Sequence, residues 1–300
     1  MIKLNNNYNN IIKASVLIAI SGILYGFLGY LGIGILREHF TISTMLFWRF
    51  FIAGCWILIF VMIRNSFKEI ISYFDKRTLF AMFALGGIGY AGSSAFYFVA
   101  CKYTGTGLAM VIFFSYPIFV ALSSWLMHKK TLSINTLCLL VTMILGLFLL
   151  KDANNHFDMM GILFGLIAAA CYAFYVVGSK QMTAHIINSN FLTTIICFGC
   201  AFIFLILSLS SHSFTFPQSS NTWLHLLALG VLATAIPIQL MLEGLKYVSS
   251  MRASIISVLE PLVTIFVGIL LLGETISQLQ LLGAFIILGS AVLVQFQREL

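Results

Sequence analysis

The chain has 300 residues, 61% of them hydrophobic and 8% charged, with a mean hydropathy of +1.05 and a formal net charge of +7. A soluble domain carries about 25% charged residues, so this chain cannot cover itself with a hydrated surface. Its basic residues are scattered over many loops, which excludes a nucleic-acid patch, and no soluble domain is left over. A membrane-spanning helix needs about 20 apolar residues at 1.5 Å rise per residue. Ten stretches meet that need: 11–36, 43–64, 77–101, 104–127, 133–150, 158–182, 189–209, 221–245, 250–272 and 277–297. The sequence therefore reads as an all-α integral membrane protein.

In chain order, the first span follows "MIKLNNNYNNIIK". Its apolar part is too long for a leader and lacks a nearby small-residue cleavage site, so it is expected to stay as a first helix. It carries "GILYG" (Gly22, Tyr25, Gly26), and the sixth span carries "GILFG" (Gly161, Gly165). Small-xxx-small spacing lets helices approach closely, here within one chain. The second span holds "FWRFFIAG", with Arg49 about two turns from its start. The third contains "GGIGYAGSSA" from Gly86 to Ala95, including Tyr90, a glycine density that suits a helix able to bend or slide. The fourth has Tyr116 and Pro117 near its middle, and the sixth has Tyr172 and Tyr175. In the seventh, "CFGC" (Cys197, Cys200) has no partner pair or histidine, so the six cysteines read as packing residues rather than a metal or redox site. Glu243 lies near the end of the eighth span, within reach of the interface. The ninth is the most unusual, because "ASIISVLEPLVTIFVGILLLGET" (253–275) sets Glu260 and Pro261 in the middle of an apolar run. Trp48, Trp56, Trp125 and Trp223 lie toward span ends and read as interfacial anchors.

Lysine and arginine orient the chain. With the N-terminus inside, Lys3, Lys13, Arg64, Lys68, Lys76, Arg77, Lys129, Lys130, Lys180, Lys246, Arg252 and Arg298 face the cytoplasm. Arg37, Lys102 and Lys151 lie outside, and Arg49 is within the membrane. This excess obeys the positive-inside rule, and moving the count by one helix reverses it. Both termini are expected in the cytoplasm, with the protein in a bacterial inner membrane.

An internal repeat runs at an offset of 144 residues. "KYTGTGLAMVIFFSYPIFVALSSWLMHKKTLS" (102–133) aligns without gaps to "KYVSSMRASIISVLEPLVTIFVGILLLGETIS" (246–277). The two share a Lys-Tyr start, Pro117 with Pro261, and a Thr-x-Ser end. A weaker echo pairs the surroundings of Tyr25 and Tyr172. The expected organisation is two five-helix halves, 1–151 and 152–300, and because five is odd the second is inserted upside down. Inverted repeats with interrupted helices near the midplane are transporter architecture; duplication that merely enlarges a bundle is the alternative.

Here a family resemblance becomes specific. The run from Ala253 through "PLVT" (261–264) and "LLLGETIS" (270–277) to "QLLGAFIILGSAVL" (280–293) resembles the drug/metabolite transporter superfamily, in particular its EamA branch. "FWRFFIAG", with Arg49 and Ala53, is similar to that branch's Arg-x-x-x-Ala signature. The resemblance covers nearly the whole chain, with one departure: Lys130 stands where its repeat has Glu274. It implies secondary transport of small metabolites without fixing a substrate.

The intramembrane polar residues carry the chemistry. A charge at a helix centre costs about 2.5–3.5 kcal/mol on insertion scales, and such residues face cavities or partners. Glu260 aligns with Tyr116 in the first half, so its carboxylate is not part of the repeated scaffold. It is a candidate proton carrier or counter-ion for a substrate ammonium, against a neutral packing role. Arg49 is either a clamp for a substrate carboxylate or a snorkelling packing residue. Tyr25, Tyr90, Tyr116, Tyr172 and Tyr175 could line a pocket with ring faces and hydroxyls, or belong to the core. Pro117 and Pro261 each free the carbonyl four residues back and are candidate hinges, or packed kinks.

Enzyme chemistry has no support: there is no metal-binding histidine pair, and the six histidines lie at span ends or in loops. No phosphate-binding Gly-x-x-x-x-Gly-Lys-Ser/Thr loop exists, so ATP does not drive this chain by itself, and no cofactor is expected. One acidic and one basic intramembrane group point to a zwitterion, an amino acid or close relative, as substrate, with proton coupling through Glu260. An organic cation or drug exported with Glu260 alone is the alternative. A membrane assembly protein without transport is a third reading, which has no use for Glu260.

Overall fold

The computed structural model describes residues 2–36, 38, 40–63, 76–128, 133–150, 158–184, 188–272 and 277–293, and among these it is entirely helical. The connection 64–75, the segment 273–276 with Glu274, and the basic residues at 37, 64, 68, 129, 130, 151 and 298 lie outside them. Helix α1 (Ile2–Tyr25) passes through a turn at Gly26 and Phe27 into α2 (Leu28–Leu36), followed by α3 (Ile42–Ile63). Helix α4 (Lys76–Ala84) enters a π turn, Leu85–Tyr90, and continues as α5 (Ala91–Phe113). Then come α6 (Tyr116–His128), α7 (Ile134–Leu150), α8 (Met159–Ala184) and α9 (Ser189–Ser210). Helix α10 (Ser220–Gly230) enters a second π turn, Val231–Ala235, and continues as α11 (Ile236–Leu245). The chain closes with α12 (Ser250–Ser257), α13 (Leu259–Leu272) and α14 (Gln278–Leu293).

Seven helical stretches among the described residues are long and apolar enough to cross a membrane, and two shorter apolar helices lie at Leu137–Leu149 and Leu281–Ser290. Large apolar side chains cover the outside, such as Phe80 (72% exposed), Leu224 and Phe285. Only hydrocarbon makes such a surface favourable. The protein is a multi-pass membrane protein. Polar caps start several helices: Asp158 accepts from the Met160 and Gly161 amides, Asn188 from Asn190, Ser219 from Thr222 and Ser249 from Arg252.

The spans expected at 77–101 and 104–127 meet without a loop, because helical hydrogen bonding continues through Ala91–Phe113. The axis still folds back. Sixteen residues of straight helix would separate Tyr97 and Phe113 by about 24 Å, yet their ring centroids are 5.4 Å apart. Along α8, Gly161 meets Tyr103 and Thr104 while Gly165 meets Ile112, so the reversal occurs just after Thr104.

Pairing inside the bundle is α3 with α9, α5 with α8, α1 with α11 and α7 with α14. The small residues act inside the chain: Gly22 and Gly26 lie against Ser257–Val263, and Gly161 and Gly165 against Tyr103–Ile112. A tightly packed glycine sits at the start of each π turn: Gly86, its second residue, against the Ile196 backbone of α9, and Gly230, just before the second turn, against the Ile52 side chain and the Arg49 carbonyl of α3. Gly86 and Gly230 are 144 residues apart, as are the helix breaks at Phe114 and Val258.

The prolines differ from expectation. Neither kinks a continuous helix: Pro117 is the second residue of α6 and Pro261 the third of α13, with the chain already broken before each. In a first helical turn a missing N–H leaves no hydrogen bond unmade. Trp48 differs too. It is 8% exposed, donates from Nε1 to the Thr215 carbonyl at 3.1 Å and packs on Phe214, Phe216 and Trp223. It therefore anchors the segment 211–219, whereas Trp56, Trp125 and Trp223 are more exposed.

Candidate functional site

Six helical elements converge on one region. Tyr25 ends α1, Arg49 lies on α3, Tyr90 closes the first π turn, Tyr116 opens α6, Tyr172 and Tyr175 lie on α8, and Glu260 is in the first turn of α13. All five tyrosines are at most 8% exposed and form a single cluster. The Tyr90 hydroxyl donates to that of Tyr25 at 3.0 Å. Ring centroids are 4.8 Å apart for Tyr90–Tyr175, 4.7 Å for Tyr116–Tyr172 and 5.5 Å for Tyr172–Tyr175. The first two pairs meet edge to face, which places positive ring edges on negative faces. Tyr116 reaches across to the other broken helix and donates to the Ser254 carbonyl at 3.0 Å.

Two buried hydroxyls in or beside this cluster, Tyr175 and Ser179, lie near each other without a well-formed hydrogen bond to the described residues.

Arg49 is 3% exposed. Its Nε donates to Thr234 Oγ1 at 2.7 Å, and its guanidinium carbon lies 4.9 Å from the Phe50 ring centroid. Its terminal nitrogens have no acceptor among the described residues. Phe50 in turn meets Tyr90 edge to face at 5.4 Å, joining the arginine to the tyrosines.

Glu260 is half-buried, beside Gly22 of α1. Its carboxylate makes no hydrogen bond to the described residues. It is close enough to Arg49 for the two charges to interact, but no ion pair within 4.0 Å joins them. A half-buried acid and a buried base that form no ion pair therefore share one region with a cluster of tyrosine rings and hydroxyls.

Polar contacts tie the chain together at both ends of the bundle. At one end, Glu38 accepts from Ser219 Oγ (3.2 Å), Asn221 Nδ2 (3.3 Å) and Thr222 Oγ1, and Thr44 Oγ1 donates to the Ser213 carbonyl at 2.8 Å. At the far end of the same 26-residue span, the Lys180 ammonium donates to the Leu245 carbonyl at 2.6 Å.

Sequence reasoning missed Thr234, Tyr97 and Ser254. Thr234 could have been found, since the offset that pairs Pro117 with Pro261 also pairs Tyr90 with Thr234. Tyr97 gave no signal apart from being aromatic. Glu243 pairs with Lys246 at 2.8 Å, away from the cluster, and Cys200 donates to the Gly86 carbonyl of the first π turn at 3.2 Å. No group of metal-binding side chains occurs among the described residues.

The model of the EamA-like transporter family matches twice, over residues 12–151 and 159–296. An uncharacterized transporter of Archaeoglobus fulgidus is 30% identical over 66% of this chain and 70% of its own length. The uncharacterized transporter YcbK of Bacillus subtilis is 29% identical over 64% of this chain and 65% of its own, a little under two thirds of that relative. A solved structure titled "Crystal structure of protein" superposes with a TM-score of 0.80 at 17% identity, covering 94% of this chain and 96% of that one. At that identity the likeness is one of fold.

Proposed function

Because the chain belongs to the EamA-like transporter family, a family of transporters and not of enzymes, we propose that it is a secondary active transporter of a small zwitterion, an amino acid or close analogue. In this reading residues 1–151 and 152–300 form two five-helix halves of opposite orientation, ten spans in all, with both termini cytoplasmic in an inner membrane. The two family matches, the paired π turns and the paired helix breaks support it. Access alternates as the halves rock about the breaks before Pro117 and Pro261.

The observation that carries the substrate class is the gap between Glu260 and Arg49 within one tyrosine-lined region. An ammonium beside Glu260 and a carboxylate on the Arg49 terminal nitrogens would satisfy both charges. Glu260 changes protonation state during the cycle and couples transport to protons. The organic-cation reading keeps one observation in its favour: Arg49 already has Thr234 and Phe50, which leaves Glu260 and the ring faces for a cation.

Uptake into proteoliposomes separates the two, with isotope-labelled amino acids compared with the corresponding amines that lack the carboxylate. The zwitterion reading expects amino-acid uptake that both Glu260→Gln and Arg49→Gln remove. Amine uptake that survives Arg49→Gln would transfer the site to organic cations.

A further inference from the structure

Among the described residues Arg49 hydrogen-bonds to one side chain, and that side chain belongs to the second π turn. Thr234 is fully buried; its Oγ1 accepts from Arg49 Nε at 2.7 Å and donates to the Leu229 carbonyl at 2.7 Å. A hydroxyl has one proton. With that proton committed to Leu229, only lone pairs face Arg49, so the polarity of the chain from guanidinium to hydroxyl to carbonyl is fixed. Just before this turn, Gly230 lies close to the Arg49 backbone, where a Cβ would be 3.1 Å from the Arg49 carbonyl oxygen. Occupying Nε leaves the two terminal nitrogens as the free edge of the guanidinium, a fork that matches a carboxylate.

We infer that Thr234 is a positioning residue that aims Arg49 at the substrate carboxylate and ties that contact to the second π turn. The inference rests on the zwitterion reading above. Thr234 stands 144 residues after Tyr90, which closes the first π turn and donates to Tyr25. Both π turns thus present one side chain to the site from the same position, an aromatic hydroxyl in one and the arginine's anchor in the other. A shift of the second turn would move the guanidinium with it.

The test compares wild type, Thr234→Val and Thr234→Ser in full-length protein reconstituted into vesicles, with labelled amino acids and their decarboxylated amines as probes. A second readout is hydrogen exchange of the Arg49 Nε–H in 15N-arginine-labelled protein, identified by its loss in Arg49→Lys. Thr234→Val should raise KM for amino acids about tenfold, because a hydrogen bond to a charged group is lost. The maximal rate and any amine uptake should stay within twofold, and Nε–H exchange should accelerate. Thr234→Ser should restore both readouts. Unchanged KM in Thr234→Val despite faster exchange would make the contact structural and overturn the inference. An equal rise for amines would overturn it too, by indicating general distortion. Wild-type protein that carries amines but no amino acid would instead remove the zwitterion reading, and this inference with it.

Discussion

The two π turns, Leu85–Tyr90 and Val231–Ala235, occupy corresponding places in the chain and differ in chemistry. Each has a closely packed glycine at its start, Gly86 within the first turn and Gly230 just before the second, and each closes toward the central cluster. The first turn meets Ile196 and ends on Tyr90; the second meets Arg49 and contains Thr234. The helix breaks repeat the contrast, with Tyr116 just beyond Phe114 and Glu260 just beyond Val258. The scaffold therefore has no need of a charge at either place, since it is built equally well around Ile196 and Tyr116. Arg49 and Glu260 each cost a few kcal/mol in a membrane, and in our account the substrate and the coupled proton offset that cost.

The largest expected effect sharpens this contrast at the breaks. Glu260→Gln should abolish proton-driven accumulation, by at least about a hundredfold, and should remove one-for-one substrate exchange as well, because the ammonium loses its partner. Tyr116→Phe, which loses only the bond to the Ser254 carbonyl, should stay within a few-fold of wild type. Equal losses in both variants would dissolve the distinction between charge and scaffold.

Next in size is the stability difference between the two glycines. At Gly86 an added methyl meets the Ile196 backbone, which cannot move aside; at Gly230 its nearest neighbour is the Ile52 side chain, at 2.7 Å. Gly86→Ala should therefore lower stability by about 1–3 kcal/mol and Gly230→Ala by less, read from thermal unfolding in detergent. Equal losses or the reverse order would mean that the backbone contact at Gly86 does not set the cost.

The prolines come last. Because the breaks precede Pro117 and Pro261, Ala at either position should leave the fold intact. The double replacement should slow transport a few-fold with binding retained, since the new amides can extend each helix across its break. Unchanged turnover would assign the breaks to packing alone.

Much of this was legible in the sequence because lipid makes polar residues conspicuous. Glu260, Arg49 and the mid-span tyrosines stand out against apolar neighbours, and the 144-residue offset is visible in the prolines. The first π turn was hinted at by "GGIGY"; the second, "VLATA", has no glycine within it, and one extra residue per turn leaves no compositional mark. Thr234 was missed because a lone threonine in an apolar helix is ordinary, and its role depends on which side chain the fold brings to it. The Tyr97–Phe113 reversal was expected as a loop, but helical hydrogen bonding carries through it.

Alternating access at the Glu260 region is the central claim, and the accessibility of a single cysteine tests it most directly. With the six natural cysteines replaced, Ser257→Cys puts a thiol one turn before Glu260, where the wild-type residue is 7% exposed. A membrane-impermeant maleimide, applied to one face of oriented vesicles at a time, should label this cysteine from each face, and amino-acid substrate should shift the balance between them. Labelling from one face only, unaltered by any amino acid, would contradict the account.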